Sequence, residues 1–92
     1  MRSDSAAFAF QGLACHRYFT GRYRAAAAHA LRAQRAAHEE KFSYAMMLST
    51  DLRGHALVQI GQLHAGLALL EQAKAHADTD RTLARNISKH FQ

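Results

Sequence analysis

The sequence predicts an all-α chain folded as an α-solenoid, and three observations carry that reading. A pattern occurs twice: Gly21-Arg22-Tyr23-Arg24-Ala25-Ala26, followed by Ala30 and Ala33, is matched by Gly61-Gln62-Leu63-His64-Ala65-Gly66, followed by Leu70 and Ala73. In both copies a turn glycine precedes a large apolar residue and then a helically spaced, mostly small set, and the copies lie 40 residues apart. The composition is 49% hydrophobic with no proline and five glycines, which suits long helices and leaves little turn chemistry for a β fold. Between the glycines, apolar residues recur at intervals of three and four. A period of this length with two helices per unit marks an α-solenoid, in which each helical hairpin buries its apolar face against the next.

Taken in order, Asp4 or Ser5 is placed to cap a first helix running to about Phe19. Phe10, Leu13, Ala14 and Arg17 share one side of it, with Phe10 expected in the core. Phe8, Cys15 and Phe19 lie on other sides, so the helix is apolar nearly all round. Thr20-Gly21 ends it. A second helix, from about Arg22 to His38, aligns Tyr23, Ala26, Ala30, Ala33 and Ala37 on one stripe and carries Arg24, His29, Arg32 and Arg35 opposite. Small residues along the stripe allow close approach to a neighbouring helix.

His38-Glu39-Glu40-Lys41 reads as the next connection. A third helix, from about Phe42 to Ile60, places Phe42, Ala45, Met46, Ser49, Leu52, Ala56, Leu57 and Ile60 on one face and Met47, Leu48 and Val58 on others, the mark of a helix packed on two sides. Gly61 ends it, and a fourth helix to about Ala77 aligns Leu63, Gly66, Leu67, Leu70, Ala73 and Ala77. Asp78-Thr79-Asp80 reads as a turn and cap before a last helix to about Phe91, with Leu83, Ala84, Ile87 and Phe91 on one face.

These elements resemble the tetratricopeptide repeat family. Its pattern asks for a large and then a small residue in a first helix, a turn glycine, an aromatic or leucine, and small residues at two places in a second helix. The first copy supplies Phe10, Leu13, Ala14, Gly21, Tyr23, Ala26 and Ala33, and the second supplies Gly54, Leu57, Gly61, Leu63, Gly66 and Ala73. Thr50 and Arg53 depart from it, standing where bulky residues are expected, and the 40-residue spacing exceeds the roughly 34 residues of the family. Lengthened repeats of this kind are similar to those in the sensor regions of large bacterial ATP-dependent transcriptional activators. The resemblance implies one domain over residues 1–92, a right-handed solenoid of antiparallel hairpins. Its units are a first repeat over about 5–38, a second over about 42–77 and a C-terminal helix over about 80–91.

The same resemblance implies a protein or peptide interaction module set in a bacterial regulatory or signalling protein. In the family the concave side is lined by the first helix of each hairpin. Carried onto this chain, the ligand-facing set is Phe8, Gln11, Cys15, Tyr18 and Phe19 in the first unit and Leu48, Asp51, His55, Val58 and Gln59 in the second.

Charge supports a different class of partner. Twelve basic against seven acidic residues give a net charge of +5, most of it in residues 1–41. Arg17, Arg22, Arg24, Arg32 and Arg35 form a set suited to phosphates, so the alternative is a small basic helical protein that binds nucleic acid. No recognition helix, zinc finger or base-stacking motif accompanies that set.

Catalytic and metal chemistry find no pattern. The seven histidines never fall three or four apart, and no carboxylate completes a zinc-binding helix motif. Cys15 and His16 are adjacent on a helix and therefore point about 100° apart, so Cys15 reads as a small packing residue. With no phosphate loop, paired carboxylates or nucleophile elbow, no enzymatic activity, cofactor or metal is expected.

The single cysteine excludes an internal disulfide and fits a reducing compartment. Asp4 and Gln11 interrupt the short apolar run near the N-terminus, so neither a signal peptide nor a membrane segment is expected, and the chain is read as cytoplasmic. Two hairpins and one further helix fall short of the three or more repeats a solenoid needs, roughly, for stability. Apolar end helices then predict self-association, most simply as a twofold dimer.

Overall fold

A computed structural model of the chain describes residues 5–90, apart from the side chains of residues 83, 87, 88 and 90. All regular structure among the described residues is helical: α1 (Ala6–Phe19), α2 (Tyr23–Glu39), α3 (Ser43–Gln59) and α4 (Leu63–His90). Each helix packs on the next, and α1 also reaches α3. The molecule measures 47 × 32 × 21 Å.

The three connections share one geometry. Gly21 (φ 80°), Lys41 (φ 55°) and Gly61 (φ 88°) take left-handed conformations. In each, the amide that follows donates back to a carbonyl five residues earlier: Arg22 to Arg17 (2.8 Å), Phe42 to Ala37 (2.9 Å) and Gln62 to Leu57 (2.9 Å). This is a Schellman stop, which satisfies carbonyls that the helix end leaves free. The left-handed residues fall 20 apart, so the 40-residue period is two units of a 17-residue helix and three connecting residues.

Lys41 occupies the place that glycine holds in the other two turns, and a side chain there opposes the left-handed backbone. Lys41→Gly is expected to raise stability by about 1 kcal/mol, the relief of strain exceeding the extra freedom of the unfolded chain. Thermal melts should register this as a rise of about 4–8 °C.

Ser5 caps α1, its hydroxyl accepting from the Phe8 amide (3.3 Å) and donating to Glu40 (2.6 Å). Glu40 also accepts from the Ala7 amide (3.2 Å), so the end of α2 places a carboxylate at the positive end of α1. The burial of α2 follows its alanine stripe, with Ala26, Ala30, Ala33 and Ala37 all enclosed. Helices meeting through such residues approach closely, and Ser49 is the largest side chain with essentially no exposure. Ala33→Leu is therefore expected to overpack the α2 crossing and cost roughly 1–3 kcal/mol. Urea unfolding measures the loss, and no loss would place Ala33 at the surface.

Two expectations need correction. Turning its small side inward, α1 buries Ala7, Gln11 and Ala14, so Phe10 is only half-buried and Leu13 stays 44% exposed. Close contact with α2 and α3 selects the narrow face over the bulky one. The chain also does not turn at Asp78-Thr79-Asp80, because α4 runs through it for 28 residues. No glycine or proline interrupts the segment. The Thr79 hydroxyl donates to the Ala75 carbonyl (2.9 Å), while Asp78 and Asp80 pair with Lys74 and His76 one turn back. Potential cap residues are thereby used as helix-surface pairs. Of the apolar face expected there, the side chains of Leu83 and Ile87 and the whole of Phe91 lie outside the described residues.

Candidate partner-binding surface

Near the first turn, α1, α2 and α3 bring four rings together. Tyr18 stands edge-on to Phe19 (5.4 Å) and Tyr23 (5.3 Å) and reaches His55 on α3 (6.4 Å). Phe19 is 81% exposed, an apolar ring held in water by its position in the last turn of α1. Tyr18 is half-buried over Ala14, Ala30 and Leu52, beside the half-buried, free Cys15. Burial of its ring edge fixes the cluster, and the open faces of Phe19 and His55 supply contact area at little entropic cost.

From His55 the surface continues along α3. Asp51 pairs with His55 (3.6 Å), both side chains about half exposed. One turn back, Asp51 and Leu48 line a groove of about 250 Å³ whose far wall is α4, through Leu70, Ala73, Lys74 and Ala77. Leu48, Asp51, His55 and the exposed Gln59 thus form one stripe at intervals of three and four along α3.

The remaining expected residues lie elsewhere. Phe8 packs edge-on against Phe42 (4.9 Å), at the start of α3 rather than in the ring cluster. Gln11 is buried, its amide nitrogen donating to the Cys15 sulfur (3.7 Å). Val58 faces α4, since a Cβ built on Gly66 comes within 2.7 Å of its Cγ2. The structure therefore gathers Cys15, Tyr18, Phe19 and His55 in one place, extends that place through Asp51 to Leu48, and sets Phe8, Gln11 and Val58 apart.

Sequence reasoning assigned Tyr23 to packing alone, whereas its ring completes the cluster. The signal was its place two residues after a turn glycine, which swings its ring back onto the last turn of α1. The arginines at 22, 24, 32 and 35 are exposed and Arg17 is half-exposed.

Among the described residues, no three His, Cys, Asp or Glu side chains converge on a point suited to a metal ion. No helix there is long and apolar enough to cross a membrane. In comparisons with protein-family models, curated proteins and solved structures, nothing matches this chain.

Proposed function

We infer that the chain is a helical-repeat interaction module that takes a protein segment or peptide on the surface shared by α1 and α3. In this reading α1–α2 and α3–α4 are antiparallel hairpins of a right-handed, tetratricopeptide-like solenoid with lengthened repeats. The observation that carries it is the exposed ring cluster at the α1–α3 junction, continued by the Asp51–His55 stripe. Support for the repeat comes from the glycine shared by the stops at 21 and 61, where the Lys41 stop between them has none, and from α1 touching α3 as successive first helices of a solenoid would. A cytoplasmic setting in a bacterial regulator, and no catalytic role, belong to the same proposal.

Selection from a displayed random peptide library, followed by amide shift mapping, tests it. Peptides carrying an apolar anchor are expected to perturb residues 18, 19, 51 and 55. Phe19→Ala should weaken them by about tenfold or more, as loss of an aromatic anchor does. Their affinity should change little with salt, because apolar contact is not screened. Binding of an oligonucleotide that weakens steeply with salt, with shifts on the α2 arginines, would instead establish the nucleic-acid alternative that the exposed Arg24, Arg32 and Arg35 suggest.

A further inference from the structure

The chain contains one interface in which a helix seats on a helix pair. Ala45 of α3 clusters with Ala7 and Ala37, with Met46 of α3 and Ala36 of α2 packed against that cluster, and Leu52 packs with Ala14 and Ala30. Gln34 of α2 bridges to α3, donating to Thr50 (2.8 Å) and accepting from Arg53 (3.2 Å).

Moving the receiving side forward by the 40-residue period carries Ala7 to Met47, Ala30 to Leu70, Ala33 to Ala73, Gln34 to Lys74 and Ala37 to Ala77. All five of these later residues line the groove between α3 and α4, while Ala14 and Ala36 carry to Gly54, buried at the α3–α4 crossing, and to His76, both outside it. Moving the seated side back by the same period carries Met46 to Ala6, Ser49 to Ala9, Thr50 to Phe10, Leu52 to Gly12 and Arg53 to Leu13. That stripe of α1 is uncovered: Ala6, Ala9, Gly12 and Leu13 are exposed, Phe10 is half-exposed, and a Cβ on Gly12 would meet nothing. One chain therefore presents both halves of an interface it already forms once inside itself.

We propose that copies of this chain assemble head to tail, the outer stripe of α1 in one copy seating in the α3–α4 groove of the next as α3 seats on α1 and α2. The occupant is a second copy because α1 has the small, apolar stripe that the groove's forerunner accepts. Among the described residues α4 runs on as one helix to His90 and does not fold back over the groove. Phe10 and Leu13 replace the polar Thr50 and Arg53 and ask for no bridging amide, and Lys74 stands in place of Gln34 with an aliphatic stem to lay across them. Groove and stripe are different surfaces, so the contact is heterologous and does not close after two copies. This departs from the twofold dimer expected of the sequence, and because Leu48 and Asp51 line both the groove and the proposed peptide surface, a second copy and a peptide compete for that end of it.

Sedimentation velocity over a concentration series tests the proposal, using the full chain and two variants, Leu13→Glu on the stripe and Ala77→Glu in the groove. The unaltered chain is expected to pass from monomer through dimer to larger species. Each variant alone should remain monomeric, since each has lost one half of the contact. An equimolar mixture should form a one-to-one pair and nothing larger, because Leu13→Glu keeps its groove and Ala77→Glu keeps its stripe. Far-UV circular dichroism checks folding, and Ala9→Glu or Leu48→Glu replaces a variant that loses helicity. A chain that stays monomeric throughout, a dimer that either variant leaves intact, or folded variants that do not pair on mixing would each overturn the proposal.

Discussion

Replacing Gly66 with valine is expected to cost about 3 kcal/mol and to part α3 from α4. A Cβ at this position lies 2.8 Å from the Gly54 carbonyl oxygen and 3.0 Å from the Val58 nitrogen. Both are backbone atoms of a regular helix and cannot swing aside as the Val58 methyl, at 2.7 Å, can. The crossing is reciprocal, since a Cβ on Gly54 comes within 2.9 Å of the Gly66 carbonyl oxygen. Two glycines facing one another set the helix separation, and either substitution must widen it. Gly12→Ala is the control: with open space around its Cβ it should gain about 0.5–1 kcal/mol from helix propensity. Urea midpoints of the two variants moving in opposite directions would establish the close crossing. A neutral Gly66→Val would show that α3 and α4 are not in contact there.

Leu52→Ala should cost about 2–5 kcal/mol. Leu52 is 9% exposed and is the large side chain that fills the space between Ala14 and Ala30. The alanines around it have no side-chain freedom with which to close a cavity, so the loss belongs toward the upper part of that range. Total stability for a chain this size is about 5–14 kcal/mol, which makes the change large enough to read as a shifted midpoint with an unchanged slope. Loss of cooperativity instead would mean that Leu52 organises the α1–α3 contact beneath Tyr18, and the ring cluster would then loosen with it.

Much of the fold was legible because it rests on local rules. Gly21 and Gly61 stop helices as their sequence positions suggest, and the alanine stripe of α2 is the buried stripe. The Lys41 turn was located as a connection, but its left-handed backbone was not foreseen, because lysine carries no preference for that conformation. Asp78-Thr79-Asp80 misled for a related reason. Asp and Thr serve equally as helix caps and as surface partners one turn from a basic residue, and which role wins depends on whether a neighbouring residue releases the helix.

The candidate surface was legible only in part. The α3 residues were named from the resemblance to the repeat family, and intervals of three and four do bring Leu48, Asp51, His55 and Gln59 to one side, while Val58, named with them, faces α4. The meeting of Tyr18 with His55 and Tyr23 depends on how α1, α2 and α3 pack, which no spacing within one helix contains.

What the sequence by itself determined is the helical class and the glycine stops, because each is dictated by backbone sterics and by periodicity within a single segment. The tertiary structure alone decided which face of α1 turns inward. Phe10 and Leu13 are the more hydrophobic choice, but close packing against alanine-lined helices admits Ala7 and Ala14 and excludes bulk, leaving the larger residues at the surface.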